Sequence, residues 1–297
     1  MPQDLRLALN ADTTPLSISD TLVFKPFQER AREAADAGYP AVNLDRQDGL
    51  TPEGAKETAS RLGVGIASGF FHAHFHVAEI ESTILKEARE QAEFSRDAGQ
   101  DCLFVSAFVS PPERHALAGR IRPDTETALT RPQMERMGRV LEKVARLWKG
   151  YGITLCFHPH VATYVEAPHE IDLLMSVTSP DLVRVGLDTG HLYFGGADPL
   201  EMIERYFDRL DALHIKDVRA DVVERARREK WNYRQACAQG VWTELGQGDI
   251  NFAEIFGLLR RREWGGWVIV ETDHTTLPTA LQSSIASRRF LRDKIGI

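Results

Sequence analysis

Short runs rich in valine, isoleucine and leucine recur along the chain, separated by longer stretches whose apolar positions repeat with helical spacing. The runs cover 5–10, 41–45, 64–71, 101–108, 153–158, 182–187, 210–215 and 267–271. Their near-continuous apolar character is that of parallel strands covered on both faces. Between them, Thr51-Pro-Glu reads as an N-cap with proline in the first helical turn, and Thr130-Arg-Pro-Gln opens a long helix through Trp148. Gly38, Gly63, Gly99 and Gly152 each precede a strand, where a left-handed residue turns the chain back toward the sheet.

An eightfold strand–helix rhythm without a low-complexity linker predicts a (β/α)8 TIM barrel formed as one domain, residues 1–297. The competing open sheet would carry a glycine-rich phosphate loop after its first strand, and Leu9-Asn10-Ala-Asp-Thr-Thr-Pro contains no glycine. Two connections are unusually long, 110–130 and 217–248, the latter following the seventh strand. Both leave strand C-termini, where barrel loops build and cover active sites. The second, with exposed-looking Trp231, Tyr233 and Trp242, suits a lid or a homo-oligomer contact equally well.

Composition is that of an ordinary globular chain, 43% hydrophobic and 27% charged over 297 residues. A net charge of −7 supplies no basic field for nucleic acid, and the run Arg225, Arg227, Arg228, Lys230 is broken by acids and reads as a solvated helix face. Three widely spaced cysteines suggest a reducing compartment, and no stretch approaches a membrane span, so a cytoplasmic location is expected.

The chemistry collects at strand ends. The fifth strand closes in Cys156-Phe-His158-Pro-His160, the sixth in Asp188-Thr-Gly-His191, the seventh in His214-Ile-Lys216-Asp217 and the eighth in Glu271-Thr-Asp273-His274. Four neighbouring strands thus bring imidazoles and carboxylates to one rim. That mixture suits a divalent ion such as zinc, manganese, iron or cobalt, with positions left open for substrate. Cys156 points to the same side as His158 but deeper, as core packing. Alternation turns His72, His74 and His76 to one side, for substrate hydrogen bonds, for a second metal, or as surface histidines. Asn10 and Asp45, ending strands one and two, are candidate partners for substrate hydroxyls.

At these residues the sequence resembles the xylose-isomerase-like barrel superfamily of sugar isomerases, epimerases and dehydratases. Gly186-Leu-Asp-Thr-Gly-His-Leu-Tyr-Phe-Gly-Gly-Ala-Asp-Pro, Leu213-His-Ile-Lys-Asp-Val-Arg and Gly240-Val-Trp-Thr-Glu-Leu-Gly-Gln-Gly-Asp-Ile-Asn-Phe are similar to its inosose dehydratase branch. The resemblance implies that Asp188, His214 and Glu271 bind the metal, manganese before cobalt, iron, magnesium or zinc, and that His191 and Lys216 face a carbohydrate substrate. Epimerases of the superfamily place a glutamate at the end of the fifth strand. Here that place holds His158 or His160, with Glu166 the alternative fourth ligand.

The expected reaction is enolate formation from a keto-polyol followed by β-elimination. Glu271, His158 or His160 would be the base, His191 or His160 the acid, and Lys216 either a cation for the enolate or a salt-bridge partner of Asp217 or Glu271. Keto-sugar isomerisation or epimerisation is the alternative.

Overall fold

The computed structural model describes residues 5–107 and 111–297. Eight parallel strands close into a barrel: β1 (Leu5–Asn10), β2 (Ala41–Val42), β3 in two pieces (Gly65–Ile66 and Gly69–Ala73), β4 (Cys102–Ala107), β5 (Thr154–Phe157), β6 (Val183–Asp188), β7 (Leu210–Ile215) and β8 (Gly266–Glu271). The ring follows chain order. It closes between β1 and β8, paired from Leu5↔Gly266 to Asn10↔Glu271. At its interruption β3 changes partner: the first piece pairs with β2 and the second with β4. Gly69 stands at this break because a Cβ there would lie 2.4 Å from the Leu44 carbonyl oxygen.

Alternation along each strand separates two cores. Ala8, Ala41, Cys102, Phe104, Cys156, Ala212, Trp267 and Ile269 fill the barrel interior, small residues making room for a few large ones. Phe104 takes the space opposite Gly186, where a Cβ would lie 2.6 Å from its ring. Cys156 is fully buried in this interior, as the strand register predicts. The intervening residues, such as Leu7, Leu9, Leu103 and Val105, pack outward in the larger core shared with the helices.

The surrounding helices are α1 (Phe27–Ala37), α2 (Pro52–Leu62), α3 (Glu81–Ala98), α4 (Arg131–Lys149), α5 (Pro168–Ser176), α6 (Pro199–Arg205), α7 (Phe252–Arg261) and α8 (Ala280–Phe290). The Thr51 side chain accepts from the Gly54 amide and Thr130 from Gln133, as the cap signals predict. Gly38, Gly63 and Gly99 end their helices with φ of 80°, 72° and 85°. Gly152 is also left-handed but lies beyond the α4 cap, which is Gly150.

The predicted second strand ends early. Its ladder stops at Val42, and Asp45 caps a short 3-10 turn at Arg46–Asp48. Phe108 and Ser110, the expected end of the fourth strand and start of the loop after it, lie outside the described residues.

The segment after β7 is a folded insertion. Asp217–Val218 pairs antiparallel with Trp242–Thr243, and helices Ala220–Glu229 and Tyr233–Ala238 lie between them. The Asp217 carboxylate accepts backbone amides from Gly246, Gly248 and Ile250, so it closes the insertion rather than pairing with Lys216. Trp242, which looked exposed from sequence, is buried against His191 and Lys216. Among the described residues no helix is long and apolar enough to cross a membrane.

Candidate metal centre

The C-terminal mouth of the barrel holds a cavity of about 410 Å³. Strands β5, β7 and β8 and the residues just beyond them supply His158, His160, His214, Glu271 and Asp273 to its wall. The opposite wall, from β1 to β3 and their loops, carries Asn10, Asp12, Asn43, Asp45, Ser68 and His72. Phe70, Phe104 and Ile269 add apolar surface, and Leu22 and Phe24 extend the lining onto the loop after β1.

Two overlapping sets of possible ligands converge here, His158–Asp188–His214 and Asp188–His191–Glu271, with ligand atoms in each set within 4.8 Å of one another. His214 Nδ1 is 2.8 Å from Glu271 Oε2 and 3.9 Å from Asp188 Oδ2. His158 Nδ1 lies 2.9 Å from the Gly186 carbonyl oxygen, to which it donates, leaving the Nε2 lone pair available. Asp188 Oδ1 accepts the His191 amide at 2.8 Å. Its Oδ2 is buried without a hydrogen-bond partner. A bare carboxylate oxygen in a dry site is costly. Mixed nitrogen and oxygen donors converging beside it make a divalent cation the fitting partner.

Lys216 lies behind this set. Its Nζ is 2.8 Å from Asp273 Oδ1, 3.2 Å from Glu271 Oε2 and 3.7 Å from Asp188 Oδ2. Burial works against the ammonium, but Asp273, Glu271 and Asp188 outweigh it and raise the Lys216 pKa. Burial likewise opposes ionisation of Glu271, yet Lys216 and His214 hold its carboxyl well below the usual range. For Asp188 burial wins, pushing the carboxyl up to about 6 against the pull of Lys216. Asn10 Nδ2 donates to Glu271 Oε1 at 2.6 Å, so Asn10 orients this carboxylate as well as lining the cavity.

The resemblance has Lys216 and His191 facing substrate. Both are buried and neither lines the cavity; Lys216 Nζ donates to His191 Nε2 at 3.0 Å. In this arrangement that nitrogen accepts, and the Lys216 ammonium stands as a counter-charge to three carboxylates. Glu166, the alternative fourth ligand, is held by the backbone. Its two oxygens accept the amides of Gly119 and Ala162, each at 2.7 Å, and it belongs to neither ligand set. Burial pushes its carboxyl up to about 7. The amides of Glu166 and Ala167, at the start of α5, donate to the Glu170 carboxylate.

His160 does face the cavity. Its Nδ1 donates to the Val161 carbonyl oxygen at 2.6 Å, leaving Nε2 unprotonated, and burial lowers its pKa to about 4. Asp45 faces it across the cavity, with Oδ1 accepting the Phe70 amide at 2.7 Å and burial raising its carboxyl to about 6. His72 lies within β3 and lines the cavity, whereas His74 and His76 fall beyond the strand, outside the lining and outside both ligand sets. No second metal cluster includes them among the described residues.

Sequence reasoning passed over Asp12 and Asp273 as site residues. Each lies two positions beyond a residue it had chosen, Asn10 and Glu271, so alternation was the available signal. Tyr233, whose hydroxyl donates to Asp273 Oδ2 at 3.1 Å, comes from a distant insertion and carried no comparable signal.

The family model for xylose isomerase-like TIM barrels matches residues 31–294. An inosose dehydratase of Geobacillus kaustophilus is 35% identical over 243 residues, covering 81% of this chain and 78% of that protein. Among solved structures, the D-allulose 3-epimerase from Methylomonas sp. in complex with D-allulose superposes with a TM-score of 0.71 at 14% identity, covering 99% of this chain and 98% of that one. The IOLI protein with a binding zinc atom superposes with a TM-score of 0.67 at 15% identity, covering 97% of each chain. At these identities the solved structures speak for the fold, while the family match and the Geobacillus relative place the sequence: the chain belongs to the xylose isomerase-like TIM barrel family.

Proposed function

We propose that this protein is a divalent-metal-dependent carbon–oxygen lyase that removes water from a keto-polyol of the inosose type. The observation that carries the reading is the end of β5, where His158 and His160 face the cavity while Glu166 is turned away onto two backbone amides. An epimerase working with a glutamate on β5 and another on β8 would lack the first of them here. The 35% identity to an inosose dehydratase supports the same choice.

In this reading Asp188, His214, Glu271 and His158 hold the ion, manganese with cobalt, iron, magnesium or zinc as alternatives. It would supply a Lewis acid for the ketone oxygen and a neighbouring hydroxyl. Asn10 and Lys216 keep Glu271 ionised and oriented. Asp45 and His72 take substrate hydroxyls from the other wall.

His160 Nε2 removes the proton next to the ketone. The C–H electron pair moves toward the carbonyl, and its return forms the carbon–carbon double bond as the β-hydroxyl departs. The imidazolium of His160 returns its proton to that leaving oxygen, so the balance is substrate to enone plus one water.

The test is to load the protein with manganese, incubate it with a keto-inositol or with a free ketohexose, and read the products by mass spectrometry in H2O and D2O. A product lighter by one water from the keto-inositol is expected. Deuterium uptake or an epimer without loss of water would overturn the lyase reading in favour of an isomerase or epimerase.

A further inference from the structure

We propose that Arg30, on α1 and away from the metal ligands, is a positioning residue that shapes the hydroxyl-binding wall of the cavity; this rests on the keto-polyol reading above. Arg30 is the most deeply buried charged residue of its helix. It shares the buried face of α1 with Phe27, Ala31, Ala34, Ala37 and Glu33, and it is 1% exposed. Burying a guanidinium is costly unless fixed acceptors surround it.

Its acceptors come from separate connections at the barrel mouth. Nη1 lies 3.4 Å from Asp12 Oδ2, 3.4 Å from the Asn43 carbonyl oxygen and 3.9 Å from Asp45 Oδ2, and Nη2 bonds Asp48. All four partners line the cavity, whereas Arg30 does not. Asp45 extends the link to β3 through the Phe70 amide, 2.7 Å from Oδ1. One planar cation therefore holds the ends of β1 and β2 in register with β3.

Three carboxylates crowded around a mouth without a cation would repel one another and splay. The guanidinium behind them holds the three side chains at fixed spacing, each with acceptor capacity left for a hydroxyl. Charge-assisted hydrogen bonds of this kind contribute more than neutral ones. Lysine preserves the charge but cannot replace the fork, because it offers one nitrogen in place of two.

The test compares wild type, R30K and R30M, each loaded with manganese, for metal content, kcat and KM on the keto-inositol, and calorimetric Kd for unreactive myo-inositol. For R30K, KM and Kd should rise about tenfold while kcat stays within about threefold and metal content is unchanged. R30M should show a larger rise in both; if it does not fold, R30K alone decides. Unchanged KM and Kd in R30K, even with lowered thermal stability, would overturn the positioning role. An equal loss of kcat and metal would also overturn it, since Arg30 would then serve the metal half. A wild type that neither binds nor converts these polyols overturns the functional reading, and with it the role given to Arg30.

Discussion

Nζ of Lys216 stands 2.8 Å from Oδ1 of Asp273 with both side chains buried, and the same ammonium reaches Glu271 and Asp188. One cation thus answers three carboxylates. Removing it as Lys216→Met should destabilise the metal-free protein by about 3–5 kcal/mol, the usual cost of breaking a buried ion pair from one side. Added manganese should recover part of that loss by binding the folded state. Urea unfolding with and without metal checks this, and an unchanged midpoint in the metal-free variant would count against it.

His214→Ala and Asp188→Asn should each strip the protein of bound metal under conditions where wild type is fully loaded. Affinity should fall by about 100-fold or more, because each change removes a donor from a converging set. Elemental analysis after dialysis decides the matter; full metal content in either variant removes that residue from the ligand set.

His160→Gln should lower kcat by about 10²–10⁴-fold while leaving metal content intact. Proton exchange next to the ketone, followed by NMR in D2O, should fall with it. Metal lost together with activity would instead make His160 a ligand.

Glu166 provides a pH dependence independent of the metal ligands. Its folded pKa of about 7 is above the ordinary carboxyl value of 4.5, with burial the cause. A raised folded pKa gives a contribution fully present below pH 4.5 and lost as pH rises through about 7. The loss is on the order of 3 kcal/mol. Stability measured from pH 4 to 8 should therefore fall more steeply in wild type than in Glu166→Gln, whatever the baseline cost of that substitution. Parallel curves would contradict the assignment.

The barrel itself was legible because strand spacing, caps and left-handed glycines repeat, and each is a local signal. So was the cluster of Asp188, His214 and Glu271, since strand alternation in a closed barrel sends these ends to one mouth. Depth was not legible: Lys216 and His191 stand at strand ends like true wall residues, and only the packing of Trp242 shows them to be covered. Glu166 was ambiguous for a similar reason, because its partners, the amides of Gly119 and Ala162, belong to irregular loops that no periodicity describes. The break in β3 falls where Gly69 approaches the Leu44 carbonyl oxygen, a contact with the segment after β2 that neither stretch reveals alone.

Trp242 has a consequence for traffic. Its ring closes the insertion side of the ligand cluster, over Lys216 and His191, while among the described residues Leu22 and the exposed Phe24 edge the cavity on the other side. Under the proposed reaction, traffic across that rim passes an apolar edge, Leu22 and Phe24, on its way to a wall of carboxylates and imidazoles.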